Sequence, residues 1–281
     1  MTSTDDKEGL DVPKIEDVED DSTDPSEGRC SASAPFGDIR PVPGVNTADE
    51  EIGATFTRDE LTLILARMGP DGNSDLYTAS RPSLDEPFGP LIPLTEVNSE
   101  RYESGPTIAD HGLTLCFHMS RDNDADIFCS NREDPTSPFG PPFSAGTRVN
   151  TGLVEDEAYF GPSNLYFTRN GVIHEETGWG ANALDDLVDL MPTFAPTASA
   201  DDLELFFARV ELAGGLEMWV ARRPDVTEEF QKASPVVELN SPESRSNIPE
   251  WISPDGCRIY FTSDRSGGAG GTDLWQATRA R

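Results

Sequence analysis

The sequence has few lysines and few histidines. Of its 281 residues, three are lysine (Lys7, Lys14 and Lys232) and three are histidine, whereas 52 are aspartate or glutamate, which gives a formal net charge of −31. Such an acidic surface repels the phosphate backbone of nucleic acids, so no nucleic-acid binding is predicted. Solubility is the plain interpretation of this charge, and an acidic face that recruits a basic partner is the alternative.

Several other features are absent from the chain. No run of 18 or more apolar residues occurs, so no transmembrane segment is predicted. No CxxC pair occurs, which argues against zinc ribbons and thioredoxin-type chemistry. The GxSxG, GxxxxGK[ST] and HExxH motifs and an EF-hand loop are also missing, and the three histidines lack ligand-like spacing. The sequence therefore predicts no metal site and no cofactor, and it assigns no catalytic residue.

The first 34 residues differ from the rest in composition. They hold 11 acidic and three basic residues and few large apolar ones. Such a segment cannot bury enough surface to offset its ordering entropy, so residues 1–34 are predicted to be a disordered tail or tether, followed by one domain over 35–281. No secretory signal is visible, but a mature exported or lipid-anchored protein could begin in this way. A periplasmic or cell-surface location is therefore expected, with the cytoplasm as the alternative.

The body of the chain contains five copies of one pattern. An alternating apolar stretch recurs, and its key apolar residues are Leu65, Phe117, Phe167, Phe207 and Phe261. A second apolar stretch follows in most copies, at 75–81, 126–132, 217–223 and 273–279. Ahead of the alternating stretches stand the short segments ATFT, PTIA, AYFG, PTFA and EWIS. A fourth segment begins with Phe and ends in Asn followed by Ser or Thr, starting at Phe36, Phe88, Phe139 and Phe230.

This repeat predicts an all-β fold, a five-bladed β-propeller with four-stranded blades. Periods of 40 to 54 residues with four short strands each are typical of propellers, and the 47 glycines and prolines disfavour long helices. The predicted blades are 48–98, 101–150, 153–189, 190–240, and 245–281 completed by 36–47. The third blade is the shortest, because its second and third strands are joined by the hairpin turn Asn170-Gly171.

The segment at 36–47 has no blade in front of it, whereas the last copy ends before its outer strand. We therefore predict that 36–47 pairs with 273–279 and closes the ring, which removes two sheet edges. An open repeat array is the alternative, but such arrays carry distinct polar caps.

The stretch IPEWISPDGCRIYFTSDRSGGAGGTDLWQATR, residues 248–279, resembles the TolB-like, tricorn-like WD-type propeller repeat. The matching residues include Pro249, Trp251, Phe261 and the Asp273–Trp275 strand, and Ile252 is one residue more than the family pattern has. The looser copies extend the resemblance over 36–281. It implies a stand-alone propeller, since the chain lacks the extra domains of TolB and of prolyl-oligopeptidase-like proteins. Many relatives of this kind look like exported or lipid-anchored bacterial binding scaffolds.

Each alternating stretch ends in an arginine, and these are Arg67, Arg121, Arg169, Arg209 and Arg265. They are candidates for a collar at a channel mouth that binds an anionic ligand or a peptide carboxylate. The favoured alternative is an ion pair with the acid that opens the next strand. Trp251 and Tyr159 are candidates for stacking on a sugar ring, although core packing suits both. A calcium loop at Asp122, Asp124 and Asp126 is disfavoured, since Asp126 is the repeated acid that caps the turn.

Cys116 and Cys129 are predicted to lie opposite each other on adjacent strands. A cross-strand disulfide is conceivable there, but buried free thiols are the favoured outcome. Cys30 lies in the predicted tail and Cys257 in the last copy, and the sequence predicts no partner for either.

The function expected from the sequence is a monomeric, non-enzymatic scaffold whose loops bind a protein or peptide, or a glycan. The tail would tether it. A carbohydrate-active hydrolase with carboxylates at one channel mouth is the main alternative, and a lectin-like glycan-binding or peptide-binding protein is another.

Overall fold

The computed structural model describes residues 28–121, 124–162, 164–177, 181–184, 187 and 191–281. Five four-stranded antiparallel sheets form in this part of the chain. The predicted all-β, five-bladed propeller is confirmed.

The strands follow the chain from the inner to the outer edge of each blade. Blade 1 consists of β2 (Glu50–Phe56), β3 (Thr62–Met68), β4 (Ser74–Ser80) and β5 (Ile92–Pro93). Blade 2 consists of β6 (Tyr102–Ala109), β7 (Thr114–Arg121), β8 (Asp124–Asn131) and β9 (Phe143–Ser144), with a short 3-10 turn at Asp110–Gly112. Blade 3 consists of β10 (Glu155–Phe160), β11 (Leu165–Arg169), β12 (Val172–Glu176) and β13 (Ala181–Ala183).

Blade 4 consists of β14 (Thr193–Ala198), β15 (Glu204–Val210), β16 (Leu216–Arg222) and β17 (Ser234–Pro235). Blade 5 consists of β18 (Asn247–Ile252), β19 (Arg258–Ser263) and β20 (Asp273–Arg279), and β1 (Phe36–Pro41) supplies its outer strand.

The N-terminal strand closes the ring as predicted. Strand β1 runs antiparallel to β20, with Phe36 opposite Arg279 and Pro41 opposite Trp275. A disulfide between Cys30 and Cys257 ties the chain to the same blade just before β1. Residues 28–34, which were predicted to belong to the tail, therefore include a segment held against blade 5. Residues 1–27 lie outside the described part of the chain.

The core lies between neighbouring blades and not within one sheet. The second strands β3, β7, β11, β15 and β19 are apolar on both faces, and their key residues Leu65, Phe117, Phe167, Phe207 and Phe261 have no exposed surface. Phe56 of blade 1, for example, stacks on Tyr260 of blade 5 at 3.9 Å between ring centroids. Burial on both faces explains why the apolar residues of these stretches are not confined to every second position.

The repeated asparagine has a structural role. Its side-chain amide accepts a bond from a backbone N–H of the third strand and donates one to the carbonyl of the same residue, as Asn98 does with Leu76 at 2.9 and 3.0 Å. The equivalent pairs are Asn46 with Leu274, Asn150 with Ile127, and Asn240 with Met218. The amide thus continues the ladder beyond each short outer strand.

The phenylalanine that opens each outer segment also has a role. The arginine at or just after the end of the third strand lies over its ring, as Arg81 does over Phe88 at 4.4 Å. The equivalent pairs are Arg132 with Phe139, Arg223 with Phe230, and Arg279 with Phe36. Each of these arginines also donates its Nε–H to a backbone carbonyl of the turn between the first two strands. One cation–π staple therefore holds two loops of a blade together.

Two details of the repeat are settled by the register. Arg169 faces Val172, so Asn170 and Gly171 form the predicted two-residue turn, with φ of 49° and 76°. Residues 193–195 of PTFA lie in the inner strand β14, as predicted, but the alignment of PTFA with ATFT is wrong. The equivalent of ATFT is Pro196–Ser199, because Thr197 faces Phe206 as Thr55 faces Ile64. The repeated Pro-Thr pair occurs twice in this stretch, and the nearer copy to the turn is the structural one.

Candidate functional site: the central channel

Every innermost strand carries a bulge, and these bulges surround the central channel. The pairing register with the second strand shifts at one point in each of β2, β6, β10, β14 and β18. The residue at the shift has a left-handed backbone in four blades, and these residues are Gly53, Gly105, Glu157 and Ala195. In blade 5 the residue at the shift is Glu250. A bulge re-aims side chains away from the sheet, and here it presents two glutamates to the channel.

The channel contains a narrow cavity of about 10 Å³. Its lining residues all come from the bulged parts of four inner strands and are Gly105, Pro106, Glu157, Ala158, Tyr159, Ala195, Pro196, Thr197, Pro249 and Glu250. A cavity needs about 10–15 Å³ to hold one water molecule, so this cavity suits a group of about the size of water and not a sugar ring.

Glu250 links the last blade to the first. Its Oε1 accepts bonds from the backbone N–H of Gly53 at 3.2 Å and from the Thr262 hydroxyl at 2.6 Å. Its Oε2 accepts a bond from the backbone N–H of Ala54 at 3.0 Å. Burial raises the pKa of Glu250 to about 7, although these three bonds favour the carboxylate. The side chain serves the closure of the ring as well as the channel.

Glu157, the second channel glutamate, differs from Glu250 in its backbone conformation and its surroundings. Its backbone has a φ of 50°, which is uncommon for a residue with a side chain, and it occupies the repeat position that is glycine or alanine in three other blades. A Cβ on Gly105 would lie 3.1 Å from Oε2 of Glu157, so glycine in blade 2 provides space for this carboxylate. Burial, Asp156 and Glu250 all raise the pKa of Glu157 well above its ordinary value.

His118 lies beside this glutamate but supplies no positive charge. Its Nδ1 accepts the backbone N–H of Glu157 at 3.5 Å, and its ring stacks on Tyr102 at 6.1 Å. Only 7% of the residue is exposed, and burial lowers its pKa to about 4. The imidazole is therefore neutral at physiological pH.

The hydroxyl of Thr197 differs from its counterparts. Thr55 and Thr107, at the same position in blades 1 and 2, accept the backbone N–H of Ile108 and Phe160 in the next blade. Thr197 is 1% exposed and lines the cavity, yet its Oγ1 has no hydrogen-bond partner among the described residues. A buried hydroxyl without a partner is unfavourable, so this position has capacity for a ligand.

The predicted arginines lie elsewhere. Arg67, Arg169, Arg209 and Arg265 each lie over an aromatic ring of their own blade, at 4.2, 5.1, 3.9 and 4.6 Å from the centroid. Arg67 pairs with Asp49, Arg169 with Glu155, and Arg209 with Glu211. None of the four lines the cavity. The side chain of Arg121 lies outside the described residues.

The two aromatic residues predicted as ligand contacts lie in different environments. Trp251 is 7% exposed and packs on Phe56 at 5.4 Å, within the core between blades 5 and 1. Tyr159 lines the cavity, and its hydroxyl donates a bond to the Ala198 carbonyl at 3.1 Å. Sequence reasoning placed Tyr159 correctly on an inner strand but missed Glu157, Glu250 and Thr197. An aligned repeat carries a signal for Glu157, because it stands where Gly53, Gly105 and Ala195 stand.

Cys116 and Cys129 face each other on β7 and β8, as predicted, and they form a disulfide. The expectation of free thiols is therefore wrong. All four cysteines of the chain are paired in two disulfides, which are typical of proteins from oxidising compartments. Among the described residues no helix is long and apolar enough to cross a membrane.

No protein-family model matches the chain, and no curated protein matches it in sequence. Its fold is similar to that of solved propellers. TolB from Acinetobacter baumannii has a TM-score of 0.51 at 15% identity, over 83% of this chain and 55% of TolB. A thermostable family-43 glycoside hydrolase has 0.52 at 13%, over 86% and 92%. The aldose sugar dehydrogenase from Streptomyces coelicolor has 0.50 at 11%, over 89% and 99%.

These likenesses define the class of the protein, a β-propeller of the kind found in TolB and in glycoside hydrolases. At such low identity they establish the fold alone, and the chain spans only about half the length of the Acinetobacter TolB. Because a glycoside hydrolase and a sugar dehydrogenase share the architecture, function must be argued from the site.

Proposed function

We propose that the protein is a non-enzymatic binding scaffold of an extracytoplasmic bacterial compartment, tethered by its acidic tail, which engages a protein or peptide partner through its loops. The observation that carries this proposal is the small cavity. A volume of about 10 Å³ leaves no room for a sugar ring between the two channel glutamates.

The contacts made by the repeated arginines and by Glu250 support the same proposal. The arginines that recur in the blades lie over aromatic rings or pair with acids of their own blade. Glu250 is held by three hydrogen bonds at the closure of the ring. A general acid must be free to reach a glycosidic oxygen, and Glu250 lacks that freedom.

Exposed apolar side chains on equivalent loops offer a surface for a partner. Leu84 and Val226 lie in the loops between the third and outer strands of blades 1 and 4, and 46% and 54% of their surface is exposed. The acidic residues Asp85, Glu86 and Asp225 lie in the same loops. An apolar contact with an acidic rim suits a partner with a basic rim.

The alternative function is glycoside hydrolysis. Glu157 and Glu250 line one cavity, and both have raised pKa values, as a general acid requires. The finer assignment to the WD-type, tricorn-like repeat class is compatible with either function and stays a prediction.

Two assays on the full chain separate these functions. Incubation with a panel of aryl glycosides and β-linked oligosaccharides should give no product, and turnover that is lost in Glu157→Gln but kept in Glu96→Gln would establish the hydrolase. Capture from an envelope extract should give a stoichiometric partner with the wild type and with Glu96→Gln. The double variant Leu84→Asp and Val226→Asp should lose that partner, and equal capture by this folded variant would refute the loop surface.

A further inference from the structure

The channel cavity is lined by two carboxyl groups that have no cationic partner among the described residues. Glu157 and Glu250 both line it, and Glu250 is close enough for its charge to affect Glu157. The ion pairs among the described residues involve other acids. His118, whose ring accepts the backbone N–H of Glu157, is buried and neutral. A carboxyl group that is withdrawn from water without a cation beside it favours its protonated form, so a cation that entered this cavity would take the place of that proton.

The hydroxyl of Thr197 is a second and independent indication. It lines the same cavity, it is 99% buried (1% exposed), and its Oγ1 has no partner in the described part of the chain. Its equivalents in blades 1 and 2 both accept a backbone N–H from the next blade. An acceptor that the fold leaves unused beside two carboxylates points to a donor from outside.

Acceptor capacity remains at each of the three groups. A carboxylate offers about four lone-pair sites. Glu250 uses three of them, for Gly53, Ala54 and Thr262, so one remains. Thr197 offers its hydroxyl oxygen, and Glu157 offers its carboxylate to the cavity.

We propose that the central channel binds one primary ammonium group, with Glu157, Glu250 and Thr197 as the three acceptors. An ammonium has three N–H donors on a compact head, which equals the number of acceptors and fits a cavity too small for larger ligands. The inference rests on the proposed binding function and narrows it to a ligand that carries an amine.

Other cations fit these groups less well. A guanidinium presents five donors in one plane and prefers bidentate contacts with flat acceptors. A quaternary ammonium has no N–H to donate and is usually held by an aromatic cage, whereas Tyr159 is the single aromatic residue of the lining. Among the described residues, no group of three or more His, Cys, Asp or Glu side chains is arranged to hold a metal ion.

The test is calorimetric titration of the full chain with n-butylammonium chloride at constant ionic strength. The wild type should show saturable binding of one equivalent. Glu157→Gln should weaken that binding by at least about tenfold, because a charge-assisted hydrogen bond is lost, and Thr197→Val by about three- to tenfold. The matched control is Glu96→Gln, which removes the same charge from an exposed glutamate outside the channel. Melting curves establish that each variant is folded.

Three results would overturn the proposal. The first is equal binding by Glu157→Gln and Glu96→Gln, since it would mean non-specific attraction to the acidic surface. The second is binding of tetramethylammonium, sodium or calcium as tight as that of butylammonium. The third is no heat of binding for butylammonium in the folded wild type.

The source of the amine is distinguished by two further probes. A peptide with one internal lysine that binds at least about tenfold tighter than butylammonium would indicate a protein ligand, and equal binding would indicate a free amine. A partner that Glu157→Gln still captures, with no butylammonium binding by the wild type, would refute the channel site and leave the scaffold function standing. Glycoside turnover with intact amine binding would refute the scaffold function alone.

Discussion

The charged residues at the edges of the blades have partners within the protein, whereas Glu157 in the channel has no cationic partner among the described residues. At the edges, Arg81 and its equivalents lie over phenylalanine rings and donate to turn carbonyls. In the channel, Glu157 has no cation within reach among the described residues, and its backbone has a left-handed φ. The edge residues recur from blade to blade, whereas Glu157 occurs once. In this repeat protein, the residues that recur from blade to blade stabilise the ring, whereas a residue that occurs in one blade alone is a candidate for binding a ligand.

The largest expected effect comes from removing the closing strand. Deletion of residues 1–41 removes β1 and Cys30, exposes the edge of β20, and should abolish cooperative thermal unfolding as measured by circular dichroism. Deletion of residues 1–27 should leave the melting temperature nearly unchanged. Equal melting of the two truncated proteins would contradict the closure.

The two disulfides should differ in their contribution to stability. Cys30 and Cys257 are 227 residues apart, and Cys116 and Cys129 are 13 apart. In the chain-entropy account the longer loop is worth about 5 kcal/mol and the shorter about 3 kcal/mol. Urea denaturation of Cys30→Ala/Cys257→Ala and Cys116→Ala/Cys129→Ala measures both losses. A larger loss from the second pair would mean that packing in blade 2 outweighs loop closure.

Replacement of one edge arginine should give the next largest loss of stability. Arg279 is 1% exposed, pairs with Glu204, and lies over Phe36 at the closing seam. Arg279→Met leaves Glu204 buried with only its more exposed partner Arg222, so it should cost about 3–5 kcal/mol of unfolding free energy. Arg40→Met, which removes a pair with Asp38 that is 54% exposed at the arginine, should cost at most about 1 kcal/mol. Similar losses in urea would remove the distinction between core and surface pairs at this seam.

The smallest effect, and the most diagnostic of the channel, is a change in pH dependence. The pKa of Glu157 is raised in the folded protein by burial, Asp156 and Glu250, so the folded state holds a proton that the unfolded state releases above the ordinary value of 4.5. Its stabilising contribution is present below that value and is lost as the pH rises. Glu157→Gln should therefore lose less stability than the wild type as the pH rises above about 5.

Urea denaturation at several pH values measures this difference. Glu96→Gln, whose glutamate is exposed, should keep the wild-type slope. A Glu157→Gln protein with that same slope would mean that Glu157 is solvated and already ionised in the fold.

The architecture could be predicted from the sequence because the same pattern of strands recurs in five copies. Five key apolar residues and four Phe-to-Asn segments fixed the number of blades, and the unpaired segment at 36–47 identified the closing strand. The Asn170-Gly171 turn was also predictable, since both residues tolerate positive φ.

The channel was harder to predict. A bulge is one extra residue within one strand of a pair, and neither apolar alternation nor composition reveals it. Glu250 appeared as an ordinary residue of PEWIS, and the repeated Pro-Thr pair in blade 4 shifted the assigned inner segment away from Thr197. The Cys30–Cys257 bond was missed because its partners are distant in sequence and meet only when the ring is closed.

The short outer strands have a consequence for the behaviour of the protein at high concentration. Strands β5, β9 and β17 pair over two residues each, and Pro93 and Pro235 lie within them, where they have no N–H to offer. A second copy that approached a blade from the side would find few free backbone groups with which to extend the sheet. The outer edges of blades 1, 2 and 4 are therefore poor templates for edge-to-edge stacking, and lateral growth into fibrils is disfavoured at the rim of these blades.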